Sequence, residues 1–113
     1  MELCIKSGYF NFIAHPDYCC QFNLAVTPEW KDVKYKVIDA FVSTKTHCEI
    51  NTGGIARIRQ PFPDWWFIKE LIKKEVPLLI SDDAHDIKDT GRHFSEVEQK
   101  LSELGCKKRF TSL

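Results

Sequence analysis

The sequence predicts an α/β fold: about three or four parallel strands with flanking helices. Three observations predict it. Short β-rich runs alternate with amphipathic segments of helical length, which is the pattern of successive βα units. Leu78-Leu79-Ile80-Ser81 is almost wholly apolar, as expected of a strand covered on both faces. The residues with the most chemistry follow the strand candidates directly, where α/β sheets gather their functional groups.

The first strand candidate is Tyr9-Phe10-Asn11-Phe12-Ile13-Ala14. It stops at His15-Pro16-Asp17, because proline lacks the N–H that strand pairing needs. The polar and aromatic stretch up to about Trp30 reads as a long loop, with a helical turn after Thr27-Pro28-Glu29. Residues 32–44 read as a helix, since Val33, Val37, Ile38 and Phe41 share one face. Cys48-Glu49-Ile50-Asn51 reads as a short second strand ending at Thr52-Gly53-Gly54, where a glycine pair permits a sharp, positive-φ turn. Pro61 and Pro63 bracket the start of a helix carrying Trp65, Ile68, Leu71 and Ile72, with Lys73-Lys74 at its C-terminal end. Residues 78–81 are the third strand, and residues 95–104 the last helix. Ser95 and Glu98 suit a capping box there, and Gly105 suits the C-cap. Residues 107–110 suit a final short strand.

The chain has 113 residues, enough for one domain with a modest core. Sixteen Lys+Arg balance sixteen Asp+Glu, which argues against nucleic acid or an acidic membrane as partner. No apolar run approaches the length of a bilayer span. The five cysteines are odd in number and contain no CxxC. With no charged-then-apolar leader, the expectation is free thiols in a reducing, cytoplasmic setting.

The strand ends carry His15 and Asp17, then Glu49 and Asn51, then Asp83 and His85. Imidazole and carboxylate suit zinc, manganese or iron, so His15, Asp83 and His85 make a plausible mixed site for one of these divalent metals. On a regular strand Asp83 and His85 would share a face. A metal there polarises a phosphoryl oxygen and acidifies water. Arg57 and Arg59 have the fork geometry that grips phosphate. Each residue has a plainer reading as well. His15 fits an ordinary loop, Asp82 and Asp83 fit a turn cap, and Arg57 and Arg59 fit solvated surface. Glu49, in an apolar strand, requires a partner. Trp65-Trp66-Phe67 fits core or interface, His47 and His93 fit structural or surface roles, and Cys19-Cys20 fits plain thiols.

Phe12-Ile13-Ala14-His15-Pro16-Asp17 resembles the strand-then-H-x-D motif of PHP-domain histidinol-phosphatases. Glu49 to Arg57 is similar to that family's E-I-N-T-G segment with its following arginine. Pro63 resembles the proline before the next helix, Ser81 to His85 the S-D-A-H motif, and Gly91 to Leu104 the segment after it. The departure is Asp82, where the family usually has serine. Asp83 and His85 are the matched pair, with Asp82 in reserve should the register slip.

The resemblance implies that residues 1–113 form a single domain equivalent to the C-terminal part of a distorted (β/α)7 barrel. It implies metal ligation by His15, Asp83 and His85, with Asp83 and His85 catalytic. It implies that Arg57 contacts the substrate phosphate, with Glu49 and Asn51 shaping the pocket. The implied reaction is hydrolysis of L-histidinol phosphate, or another small phosphate ester, by metal-activated water. The family's opening H-x-H motif and the ligands after it have no counterpart in this sequence. The chain alone is therefore expected to be inactive. Either self-association or a separate N-terminal half would complete the barrel, with Trp65, Trp66 and Phe67 as interface candidates. The alternative is a non-catalytic remnant that binds metal or phosphate, or that oligomerises.

Overall fold

The computed structural model describes residues 1–22 and 27–110, the side chain of Phe110 excepted. Residues 23–26, inside the stretch expected to be a loop, lie outside the described residues. The chain runs α1 (Glu2–Lys6), β1 (Phe12–Ile13), α2 (Pro28–Thr44), β2 (His47–Asn51), α3 (Gly53–Ile58), α4 (Trp65–Lys73), β3 (Leu78–Ser81), α5 (Phe94–Glu103) and β4 (Arg109–Phe110). Short 3-10 turns occupy Tyr18–Phe22 and Ile87–Asp89.

The strands pair in sequence order β1-β2-β3-β4, and every pair is parallel. Right-handed crossovers between adjacent strands put their helices on one side of the sheet. The core agrees. Ile13, Cys48, Ile50 and Leu78 pack with Val37, Ile38 and Phe41 of α2, Ile68 and Leu71 of α4, and Val97 and Leu101 of α5. Side chains alternate along a strand, so His47, Glu49, Asn51, Leu79 and Ser81 project to the opposite face. The β2–β3 register aligns Glu49 with Leu79 and Asn51 with Ser81. The lower part of that face opens into a cleft of about 430 Å³ lined by Phe10, Phe12, His47 and Leu79, among others. The assembly is an open, singly wound wall. It is not a closed barrel, because β1 and β4 do not pair.

Local chemistry explains the element boundaries. The Thr27 side chain accepts from Trp30 N–H, so the turn expected at residues 27–29 is the first turn of α2 itself. Asp64 caps α4 by accepting from Phe67 N–H. The capping box expected at Ser95 and Glu98 does not form. Helix α5 starts one residue earlier, after His93, and Glu98 pairs with Arg109 instead. Gly105 follows the end of α5 at φ +70, the left-handed geometry that glycine adopts without penalty. The first strand is shorter than expected, two residues rather than six, because Tyr9 and Phe10 point to solvent.

The glycine pair serves a purpose other than a positive-φ turn. Gly53 and Gly54 begin α3, and a Cβ on Gly54 would lie 2.6 Å from the Gln60 carbonyl oxygen. Close approach of backbone, rather than φ, is what requires glycine there. Among the interface candidates, Phe67 is buried in the core, and Trp65 and Trp66 are half-buried against it. Trp66 meets Tyr35 edge to face and lies beside the Lys34 ammonium.

Candidate functional site

Glu49 organises the strand ends. It is 5% exposed, and its two carboxylate oxygens go to different neighbours. Oε2 accepts from the His15 backbone N–H at 2.8 Å, and Oε1 accepts from the Ser81 hydroxyl. One β2 side chain thus ties the end of β1 to the end of β3. The partner that a carboxylate in this strand required is this pair of donors, and its oxygens are spent on them.

His15 has φ +30, in the left-handed region that a β-branchless, non-glycine residue adopts only when surroundings hold it. Its N–H is held by Glu49, and its C=O accepts from Tyr18 N–H at 3.0 Å. Its ring lies 5.0 Å from that of Tyr18, which in turn packs on Phe62. The Tyr18 hydroxyl accepts from Arg57 Nη1 at 3.0 Å. His15 and Arg57, 42 positions apart in sequence, therefore flank one tyrosine. Asn51 is 1% exposed; its Oδ1 accepts from Gly53 N–H, and its Nδ2 is buried without an acceptor among the described residues.

Strand β3 ends at Ser81, so Asp83 and His85 lie on the following loop rather than on a regular strand. Asp83 has φ +51. His85 Nε2 and Asp83 Oδ1 are 3.8 Å apart, with both side chains well exposed. Two ligands on one zinc-sized ion, each at about 2.1 Å, sit about 3 to 4 Å apart, so this pair fits one cation. His15 is not gathered with them into a tight group: the described cluster of three whose ligand atoms lie within 4.8 Å of one another is a different one. Asp82 is committed elsewhere. Its carboxylate accepts from Gly91 and Ala84 N–H, and those bonds, led by Gly91, hold its carboxyl below the usual value. It acts as the turn cap, whereas Asp83 lies beside His85.

The compact cluster is Asp17, Cys20 and Asp64. Two carboxylates and a thiol within reach of each other resemble a metal centre, but a cation is already present. The Lys34 ammonium lies 3.5 Å from Asp17 Oδ2 and makes a short contact with Asp64 Oδ2. Burial pushes the Cys20 thiol up to about 12, so it offers no thiolate. The donor set does not fit a metal while Lys34 holds that position. Burial works against both charges of the Lys34–Asp17 pair. The two carboxylates, Asp64 first, outweigh burial for Lys34 and raise it. For Asp17, burial dominates and moves its carboxyl up, against the Asp64 N–H and Lys34. The cluster pins the loop after His15 to α2 and to the cap of α4.

Tyr18, Ser81, Lys34 and Arg92 were not expected from the sequence. Arg92 donates to the Asp82 carbonyl, pairs with Asp89, and accepts the Thr52 hydroxyl at its own C=O, joining the β2 and β3 loops. Its position after Gly91 carries no sequence signal. The five cysteines are all free thiols, as expected. His47 Nδ1 contacts the Asn11 carbonyl and His93 pairs with Glu96, in keeping with structural roles. Arg59 ends α3 at φ +62. No helix among the described residues is long and apolar enough to cross a membrane.

No family model matches the chain. A curated protein of Thermotoga maritima described as a probable histidinol-phosphatase is 30% identical over 96 residues. The match spans 84% of this chain and 41% of that relative, so the chain corresponds to less than half of the relative's length. The chain is histidinol-phosphatase-like over that span.

Proposed function

We propose that this chain carries the C-terminal strand-end portion of a PHP-type, metal-dependent phosphomonoester hydrolase site, with a histidinol-phosphate-like ester as substrate. The observation that carries the reading is the run of motif residues on three adjacent parallel strand ends, in a chain 30% identical to a probable histidinol-phosphatase over most of its length. A singly wound parallel wall is also what a segment of a (β/α) barrel looks like.

In this reading Asp83 and His85 hold a divalent cation, with His15 as a third ligand from the neighbouring strand end. Zinc, manganese and iron all suit these donors. Such an ion, when bound, supplies Lewis acidity to a phosphoryl oxygen and to water. Arg57 binds and orients the phosphate from the α3 side. Glu49 holds His15 in its unusual backbone geometry, and Asn51 shapes the floor. Ligands from the rest of a full-length phosphatase complete the site, so the isolated chain turns over little or nothing.

Metal analysis after dialysis against manganese or zinc tests this. About one ion per chain is expected, with occupancy lost in His85→Ala. Equal metal content in wild type and His85→Ala would refute the site. Hydrolysis of histidinol phosphate is expected only when an N-terminal phosphatase segment is added, and it should be lost again in Arg57→Ala.

A further inference from the structure

Tyr18 stands between the two residues on which the phosphatase reading leans, and its hydroxyl is only half used. That oxygen accepts from Arg57 Nη1 at 3.0 Å. A phenol has one proton to donate besides its lone pairs, and among the described residues the bond from Arg57 leaves that proton uncommitted. Donation from a guanidinium polarises the phenol and strengthens it as a donor in turn. Tyr18 is 37% exposed, and its bond with Arg57 lies at the surface while its ring packs on Phe62.

The ring's position is fixed from three directions. Its backbone N–H is bonded to the His15 carbonyl, its ring centroid lies 5.0 Å from that of the His15 imidazole, and it lies 5.2 Å from that of Phe62, both tilted. Phe62 is 2% exposed and its backbone pairs with Asn51. A donor held this firmly loses little entropy on binding a ligand. Arg57 keeps four further N–H groups after the bond to Tyr18. Guanidinium and phenol thus present donors side by side, next to the imidazole of His15.

We propose that Tyr18 is a phosphate-contacting residue: its hydroxyl, polarised by Arg57, donates to an oxygen of the same oxyanion that Arg57 grips. This rests on the phosphatase reading of Arg57 and adds to it a second donor from a different part of the chain. The ligand class is a phosphate monoester or inorganic phosphate. A neutral alcohol offers these two donors a weaker acceptor than an oxyanion does.

Inorganic phosphate is the probe, titrated into the full chain and followed by calorimetry, with Tyr18→Phe, Arg57→Ala and the double variant beside the wild type. Tyr18→Phe keeps the ring and its packing, and thermal unfolding checks that it folds as the wild type does. One hydrogen bond to a charged group makes the expected loss roughly tenfold in affinity. The double variant should bind no more weakly than about twofold beyond Arg57→Ala, because the two donors act on one ligand. Weakened binding in Arg57→Ala with an unchanged affinity in Tyr18→Phe would overturn the role of Tyr18 and leave Arg57 in place. No binding by the wild type, or no change in either variant, would overturn both.

Discussion

Replacing Lys34 by methionine removes the ammonium that contacts both Asp17 and Asp64 while keeping most of the side-chain volume. Lys34 is 5% exposed and Asp17 is 3% exposed, so water does little to screen them. At 3.5 Å and an effective dielectric constant of about 20, one such pair attracts by about 5 kcal/mol before desolvation is counted. Desolvation offsets much of that in the intact pair, but removing one partner strands the other. The expected cost of Lys34→Met is therefore about 3–5 kcal/mol, a large part of the roughly 5–15 kcal/mol that holds a domain together. In urea, with a slope of about 1–3 kcal/mol per molar, the midpoint should fall by about 2 M.

The loss should also depend on pH. Asp17 already has its carboxyl raised by burial, and the variant lacks the lysine that opposes this. A carboxyl raised in the folded state is neutral in both states well below its unfolded value, and there it costs nothing. As pH rises from that value through the folded one, ionisation penalises the fold. The Lys34→Met penalty should be largest at neutral pH and shrink toward pH 4, and adding Asp17→Asn should recover part of it. A cost below about 1 kcal/mol, or one equal at both pH values, would refute the reasoning.

Other outcomes follow from single contacts. The amide resonances of Ala84 and Gly91 should titrate together as pH falls below the usual carboxylate value of 3.8, because the lowered Asp82 carboxyl stabilises its loop above that value and releases it as pH falls through the folded one; independent titration would detach Asp82 from the loop. Gly54→Ala should lower the thermal midpoint by an amount corresponding to about 1–3 kcal/mol, since the Gln60 backbone oxygen must move, and an unchanged midpoint would show that it moves freely. In timed alkylation read by mass spectrometry, Cys4 should react first and Cys48 only on unfolding, with Cys20 slow because its thiol sits near 12; rapid labelling of Cys48 would mean that the core opens.

The four strands and the helices α2, α4 and α5 were legible in order because each is written locally, whereas α1 was not foreseen. Leu78–Ser81 reads as a strand and is one, and the Pro61–Pro63 bracket with the Trp65–Leu71 face places the start of α4, which the structure then shows capped by Asp64. Helix α3 was not legible. Its six residues include two glycines, and it forms because Asn51 pairs with Phe62 and brings the chain back over the sheet. The candidate residues were visible as residue types at strand ends. What joins them was not: Glu49 reaching both His15 and Ser81, Tyr18 reaching Arg57, and Lys34 in the cluster depend on separations of 17 to 39 positions, on which local pattern is silent.

Glu49 has a consequence for motion. Its two oxygens grip neighbouring strand ends, so neither the His15 turn nor the Ser81 end of β3 can shift without pulling the other. Slow fluctuations at this rim should therefore be collective. Nuclei near residues 15, 49 and 81 should report one common exchange rate, whereas Glu49→Gln, which puts an N–H₂ where one carboxylate oxygen accepted, should split that rate in two.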